Sequence, residues 1–357
     1  MRALSPNWRV RPLVVVLVLI WSASWPAVKV GVSTMPPIWF ACLRYAVATV
    51  CGFGIVAARG EMKRPSTSDW RFVAVSGVLQ MAAYSALTAV ALTRLPPGRA
   101  SILAFSTPLW VAPLSAWWLN ERITWRGLAG VGAGLVGVLV IASPALQQGA
   151  RSQLSSYAFL VCAAAGWAVS IVFVRAHRFQ TSTLALAPWQ MLVAAGLLLP
   201  LATALEGRRP PVTIRAVAVL SYVGPIATAF GYWAAVEVGR SVPATTMSVV
   251  LLAVPGLGLL LSAIALHETI TVPLVFGMLL IGSGIWLVKS PSGSQLPRDR
   301  LLHPQRDRGI DVSGPPRGSD DGRDGSAGDH ECHDDEGRRV QWTYAEQHAS
   351  QQPARRD

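Results

Sequence analysis

Acidic residues are nearly missing from most of this chain. Across residues 1–289 there are six (Glu61, Asp69, Glu121, Glu206, Glu237 and Glu268) against 21 lysines and arginines. Charged residues make up 14% of the 357 positions and hydrophobic ones 52%. Soluble proteins carry about 25% charged residues, so the shortfall is too large for a water-facing surface. Cysteine is also scarce. Cys42, Cys51, Cys162 and Cys332 are scattered without CxxC spacing, which argues against a disulfide framework or a zinc site. No GK[ST] phosphate loop is present, so ATP-driven pumping by this chain alone is not expected. The basic residues stand singly or in short groups between apolar runs, without interleaved aromatics. That excludes nucleic acid as the expected partner and matches how a polytopic membrane protein distributes charge.

What is abundant is apolar run. About 20 apolar residues cross a hydrocarbon core, and ten stretches meet that criterion: roughly 12–32, 36–58, 70–92, 97–119, 125–143, 156–176, 183–205, 213–236, 244–266 and 271–289. Boundaries are punctuated by PP at 36–37, RGEMKRPS at 59–66, RLPPG at 94–98 and EGRRPP at 206–211. The loops are short, so consecutive helices are antiparallel neighbours. The opening MRALSPNWRVRP and its apolar run resemble a signal peptide; an internal repeat gives this run a counterpart, so it is read as a span. With the N-terminus inside, 15 Lys and Arg fall inside, against Lys29, Arg94, Arg99, Arg151, Arg208, Arg209 and Arg215 outside. Both termini are then cytoplasmic, in a cell membrane expected to be a bacterial plasma membrane. From Ser290 the composition turns to Arg, Asp, Gly, Ser and Pro, which cannot bury a core and predicts a disordered tail.

Residues 106–124, STPLWVAPLSAWWLNERIT, and residues 253–271, AVPGLGLLLSAIALHETIT, share eight of nineteen positions at an offset of 147. Pro108 and Pro255, Glu121 and Glu268, and Thr124 and Thr271 are among the matches. The register extends further: Trp21 and Lys29 align with Trp167 and Arg175, Arg44 with Gln190, Gly77 with Gly224, Pro96 with Pro243, Ser101 with Ser248, Gly130 with Gly277, and Gly137 with Gly284. Five helices per half is an odd number, so the second half starts from the opposite side. This is the inverted repeat of many secondary transporters. The fold expected is an all-α membrane protein of ten transmembrane helices in two inverted five-helix repeats. Residues 1–11 form a cytoplasmic N-terminus, 12–143 the first repeat, 144–155 a loop, 156–289 the second repeat and 290–357 the tail.

Two five-helix repeats, each ending in a P-x12-E-x2-T stretch and a Gly-rich last helix, resemble the EamA-type drug/metabolite transporters. The resemblance covers roughly residues 12–289. It implies a ten-helix bundle around a central cavity that moves small metabolites, often outward, and it does not name a substrate.

Candidate site residues are the polar and aromatic groups inside spans. Arg44 lies eight residues into its helix with no obvious route to the interface, and a buried Arg is costly. It either binds an anionic group or closes a gate with Glu237; the alternative is that it snorkels or meets a carbonyl. Gln80, Tyr84 and Thr88 share one helix face, with Tyr222, Tyr232 and Trp233 on the counterpart helix. Trp21, Trp25 and Trp167 are paired by the repeat, although aromatics near a span end more often join the interfacial belt. Pro108 and Pro255 each remove a backbone donor and free a carbonyl four residues earlier, at Ala104 and Leu251. Such backbone survives where protein or a watery cavity satisfies it, so the cavity candidates are Trp21, Arg44, Gln80, Tyr84, Pro108, Trp167, Gln190, Tyr232 and Pro255. Glu237 is the candidate for coupling. Glu121 and Glu268 read as structural, each closing one helix near the Thr that caps the next. Lys29 and Arg175 read as snorkelling anchors.

Several motifs are set aside. GAGLVG at 132–137 matches a dinucleotide fingerprint without the strand that it requires, so Gly130 and Gly134, with Gly277, Gly282 and Gly284 in the twin, are read as helix-packing positions. HETIT at 267–271 lacks the second His of a zincin, and HECH at 330–333 stands in a low-complexity tail. No metal, cofactor or catalytic residue is expected. The reading is a secondary transporter, an exporter of a small metabolite such as an amino acid, nucleoside or drug-like compound, working by alternating access. A membrane-embedded lipid-modifying enzyme or a non-transporting scaffold is the alternative. The partners expected are a small-molecule substrate and the lipid bilayer; a homodimer is left open.

Overall fold

The computed structural model describes residues 10–289 except 178–179, 208–209, 211–212 and 243. The tail from Ser290, with its HECH, lies outside the described residues. Helices α1 (Val10–Val32) and α2 (Pro37–Ala58) lead into a rod made of α3 (Asp69–Val75), a π-helical stretch (Ser76–Ala83) and α4 (Tyr84–Arg94). Next come α5 (Pro97–Ala104), α6 (Thr107–Trp118) and α7 (Trp125–Gln147). The chain continues with α8 (Arg151–Ala176), α9 (Thr183–Glu206), and a second interrupted rod: α10 (Ile214–Tyr222), a π-helical stretch (Val223–Phe230) and α11 (Gly231–Ser241). Helices α12 (Ala244–Leu266) and α13 (Val272–Lys289) end it. Eight rods, from Pro12–Val32 to Ile214–Gly239, are long and apolar enough to cross a membrane; the described apolar parts of the last two, Leu252–Leu266 and Val272–Val288, are shorter.

Local chemistry sets the boundaries. Thr124, Ser182 and Thr213 each accept a backbone N–H three residues on, from Gly127, Ala185 and Ala216. The start of α2 has two prolines and no side-chain cap of its own. Its cap comes from far away: Glu206, at the end of α9, accepts from the N–H of Ile38 at 3.0 Å and of Trp39 at 2.9 Å. Glu206→Ala leaves those N–H groups without their carboxylate and is expected to cost about 1–2 kcal/mol, read as a lower melting temperature in detergent.

Two expectations are corrected. The break expected at 144–155 shrinks to residues 148–150, because Pro144 stays inside the last turn of α7. The carbonyl it frees, on Val140, accepts the Ser143 hydroxyl at 2.8 Å. Pro108, by contrast, is not inside a continuous helix. The rod breaks at Phe105 and Ser106, Pro108 falls in the first turn of α6, and the Ala104 carbonyl accepts the Thr107 hydroxyl at 3.0 Å. A hydroxyl one residue before the proline does the same repair twice.

The internal repeat has a backbone counterpart. The two π-helical stretches start 147 positions apart, at Ser76 and Val223, and have equal length. Asn120 and His267, also 147 apart, are the non-glycine residues with positive φ among those described, at 53° and 54°. Each ends a helix immediately before its glutamate, and the next N–H reaches back to Ser115 or Ser262. Tertiary contacts are reciprocal too. A Cβ on Gly130 would stand 2.6 Å from the Gly284 carbonyl oxygen, and one on Gly137 2.8 Å from that of Gly277. Gly77 packs on the Gln190 carbonyl as Gly224 packs on that of Arg44. In this way α7 lies against α13, α2 against α9, α1 against α12, and α8 against α5 and α6.

The glycine reading therefore holds for Gly130, Gly134, Gly277 and Gly284, which meet neighbouring chain, and fails for Gly282, which has nothing within 4 Å. The outward faces of α7 and α13 are apolar: Leu139 is 60% exposed and Leu279 61%. A helix with no polar face toward its surroundings suits lipid.

Candidate functional site

A cavity of about 420 Å³ lies among the helices of both halves. Trp21, Trp25 and Val28 of α1 line it, with Arg44 and Tyr45 of α2. Gln80, Tyr84, Ser85 and Thr88 come from the first π-helical stretch and α4, and Trp167 from α8. The second π-helical stretch and α11 contribute Thr228 and Tyr232. The π-helical geometry matters locally. Wider i→i+5 turns loosen the backbone ladder and recur at functional sites. Here the Thr228 hydroxyl donates to the Val223 carbonyl at 2.8 Å, five residues back, and its oxygen faces Arg44.

Arg44 is half-buried, and its Nε donates to Thr228 Oγ1 at 2.7 Å. Its guanidinium also stands 5.7 Å from the centre of the Tyr45 ring. The Tyr45 hydroxyl accepts from Ser85 at 3.2 Å. The same lining carries a chain of rings. Tyr84 and Trp167 meet edge to face at 5.1 Å between centroids, Trp167 and Phe105 at 6.2 Å, and Phe105 and Trp25 at 6.2 Å. Thr88 is 7% exposed, borders the cavity, and its hydroxyl has no hydrogen-bond partner.

Trp21, Arg44, Gln80, Tyr84, Trp167 and Tyr232 thus come together in one cavity wall. Trp21 also donates from Nε1 to the Ala227 carbonyl at 3.2 Å, inside the second π-helical stretch. Gln190 stands behind the wall: it is fully buried, and its Oε1 accepts from the Tyr232 hydroxyl at 3.3 Å. Pro108 and Pro255 lie outside the lining. The Pro255 carbonyl accepts from Ser101 instead. Glu237 is outside it as well, although Ala235 and Val236 border the cavity. The pairing of Arg44 with Glu237 is corrected: the guanidinium turns to Thr228, a partner no spacing rule suggested. A lone threonine in the apolar run VGPIATAF was the signal available. Tyr222, weighed as cavity-facing, donates to the Ile20 carbonyl at 2.8 Å, and Trp233 is off the wall.

The repeated glutamates close connections, but not the ones expected. Glu268 accepts from the N–H of Gly98 at 2.8 Å and of Arg99 at 3.2 Å, capping α5 of the first half and not the helix that follows it. Burial pushes the Glu268 carboxyl above its ordinary range, against those two N–H bonds and the charges of Arg99 and Lys29. Lys29 is tied to backbone. Its ammonium donates to the carbonyls of Leu92 at 2.5 Å and Leu95 at 3.2 Å, where α4 ends. At the counterpart position Arg175 donates to Glu121 at 2.6 Å and to Ser115 at 2.9 Å, both acid and base about half exposed.

The EamA-like transporter family matches twice, at residues 11–143 and 154–290. An uncharacterized transporter of Bacillus subtilis, YoaV, is 26% identical over 275 residues, covering 77% of this chain and 94% of the relative. A "Probable amino-acid metabolite efflux pump" of Salmonella typhimurium is 26% identical over 290 residues, 77% of this chain and 93% of its own. A "Probable terminal-alkyne amino-acid exporter" of Streptantibioticus cattleyicolor is 28% identical over 263 residues, 71% and 84% respectively. A solved crystal structure, 23% identical, superposes with a TM-score of 0.53 over 83% of this chain and 99% of its own, which shows a shared fold. With two matched halves enclosing one cavity, the chain belongs to the EamA-like transporter family, multi-pass membrane proteins that move small molecules.

Proposed function

We propose that this chain is a secondary transporter that exports a small metabolite by alternating access. The observation that carries the reading is the cavity itself, walled by both halves and holding one charged side chain among the described residues, Arg44. The amino-acid efflux pump and the amino-acid exporter among the relatives support an outward direction and a small organic substrate. Ten spans form two five-helix halves of inverted topology; the reciprocal contacts and the twofold family match support this. Both termini are cytoplasmic in a cell membrane.

Two repeat-related clusters serve as the gates. Lys29, Glu268 and the start of α5 close one end, the outer one in this orientation, and Arg175, Glu121 and Ser115 stand at the other. The half-buried glutamate marks the shut end and the exposed pair the looser one. Rocking one half against the other exchanges the two.

The test is flux. Proteoliposomes holding the full chain are expected to move radiolabelled amino acids and related carboxylates in a saturable way, and cells overproducing it to release more of one metabolite. No flux across a panel of amino acids, related carboxylates, nucleosides and cationic drugs, with or without a pH gradient, would falsify the exporter reading. A reporter fused to the C-terminus is expected to report a cytoplasmic location; an external signal overturns the orientation.

A further inference from the structure

Arg44 brings a positive charge into the cavity, and no acid faces it there. Six acids occur in residues 1–289. Glu61 pairs with Arg59, Glu121 with Arg175 and Asp69 with the N–H of Gln180, while Glu206 and Glu268 cap helices. Glu237 is outside the lining. The guanidinium therefore has no carboxylate counter-ion among the described residues. A half-buried charge without one is costly, and an entering anion removes that cost.

The geometry is suited to such an anion. Thr228 takes one N–H, from Nε, and is itself held by the Val223 carbonyl. This fixes the guanidinium plane and leaves the Nη groups, which have no protein acceptor among the described residues, to form a fork. A planar carboxylate matches that fork in a bidentate way. The unpartnered Thr88 hydroxyl is a second polar group awaiting a partner in the same cavity. The same lining holds the rings of Tyr84, Trp167 and Phe105, which offer an apolar, flat surface.

We infer that the cavity recognises a small organic anion, one carboxylate on an aromatic or apolar body, through the Arg44 fork, with Thr88 as an auxiliary contact. This rests on the transporter reading and narrows its substrate class. A zwitterion satisfies the carboxylate half, but its ammonium finds ring faces and no acid. A cation meets the same ring faces, but also the like charge of Arg44 and no acid. The expected order is therefore anion, then zwitterion, then cation.

Three compounds with one ring and chain test the order: 3-phenylpropionate, phenylalanine and 2-phenylethylamine, bound to the purified full chain in detergent and followed by calorimetry. The anion is expected to bind most tightly, phenylalanine several-fold more weakly and the amine not at all. Arg44→Gln is expected to weaken 3-phenylpropionate about 10- to 100-fold, the loss of charge-assisted hydrogen bonds. Arg44→Lys keeps the charge without the fork and falls between. Thr88→Val weakens binding roughly 2- to 5-fold; with Arg44→Lys it keeps the test sharp if Arg44→Gln does not fold. The inference is overturned if the amine binds as well as the anion, if none of the three binds, or if folded Arg44 variants bind the anion unchanged. Binding of the anion without flux in proteoliposomes keeps the anion site and removes the export reading. Flux of the amine that Arg44→Lys leaves untouched does the reverse.

Discussion

Gly137→Leu is expected to abolish the folded state, while Gly282→Leu, on the helix packed against it, leaves that state intact. A Cβ at Gly137 would lie 2.8 Å from the Gly277 carbonyl oxygen and 2.9 Å from Ile281. The first of these is backbone, which cannot swing aside as a side chain would. Overpacking costs about 1–3 kcal/mol where neighbours can shift, and a Leu forced against a carbonyl on a rigid neighbouring helix exceeds that range. Little else drives two such helices together in lipid, where close backbone approach carries the association. Gly282 belongs to the same sequence pattern and has nothing within 4 Å, so its substitution adds only helix propensity. Size-exclusion profiles and melting temperatures of the two variants check this. Equal behaviour would mean that α7 and α13 do not pack at these glycines.

The second large effect is at Glu268. Glu268→Ala removes the shared acceptor of the Gly98 and Arg99 N–H groups, each part-buried, at about 1–3 kcal/mol for each donor left unmet. Transport should fall more than stability, because the bond joins the two halves at the proposed outer gate. The pH dependence has a definite sign. The charged or titratable groups facing this carboxylate are Lys29 from α1 and Arg99 from α5. Burial raises the Glu268 carboxyl above its ordinary value, so in the proposed gate the closed state holds its proton at pH values where an opened, watered state has lost it. Raising pH through the window just above the ordinary carboxylate range therefore favours opening, and acidification favours closure. A cysteine replacing Ala100, which is fully buried near the cap, in a background with the four native cysteines changed to serine, reports it. Its thiol-labelling rate, corrected for thiolate fraction, is expected to rise across that window. With Glu268→Gln the profile should be flat, and an unchanged slope would separate the pH effect from this residue.

Much of the helical framework was legible in the sequence, because spans are written in apolar length and in Pro, Gly and charge at their ends. The expected 183–205 and 244–266 became Thr183–Glu206 and Ala244–Leu266. Where reading failed, a short-range repair defeated a long-range rule. Ser143 rescues the carbonyl freed by Pro144, so a breaker stayed helical. The two π-helical stretches had no composition signal, since an extra residue per turn is decided by what packs on the helix: Gly77 on Gln190 and Gly224 on Arg44. Pro108 and Pro255 were expected at the cavity from their shared position in the repeat. Both lie away from it; at Pro108 the freed Ala104 carbonyl is satisfied by the neighbouring Thr107 hydroxyl and needs no cavity.

By itself the sequence determined the apolar rods, the duplication at an offset of 147, the scarcity of acids and the presence of one arginine deep in a span. These follow from one-dimensional rules: length against membrane thickness, residue type against solvation, and register against repeat. Only the tertiary structure decided partners. It turned Arg44 to Thr228 and not to Glu237, and gave Glu206 and Glu268 to helix ends some 170 residues away in sequence. The reason is physical. A half-buried charge or an open helix end needs a partner within about 3 Å, and which group comes that near is set by how distant helices cross, something no local spacing encodes.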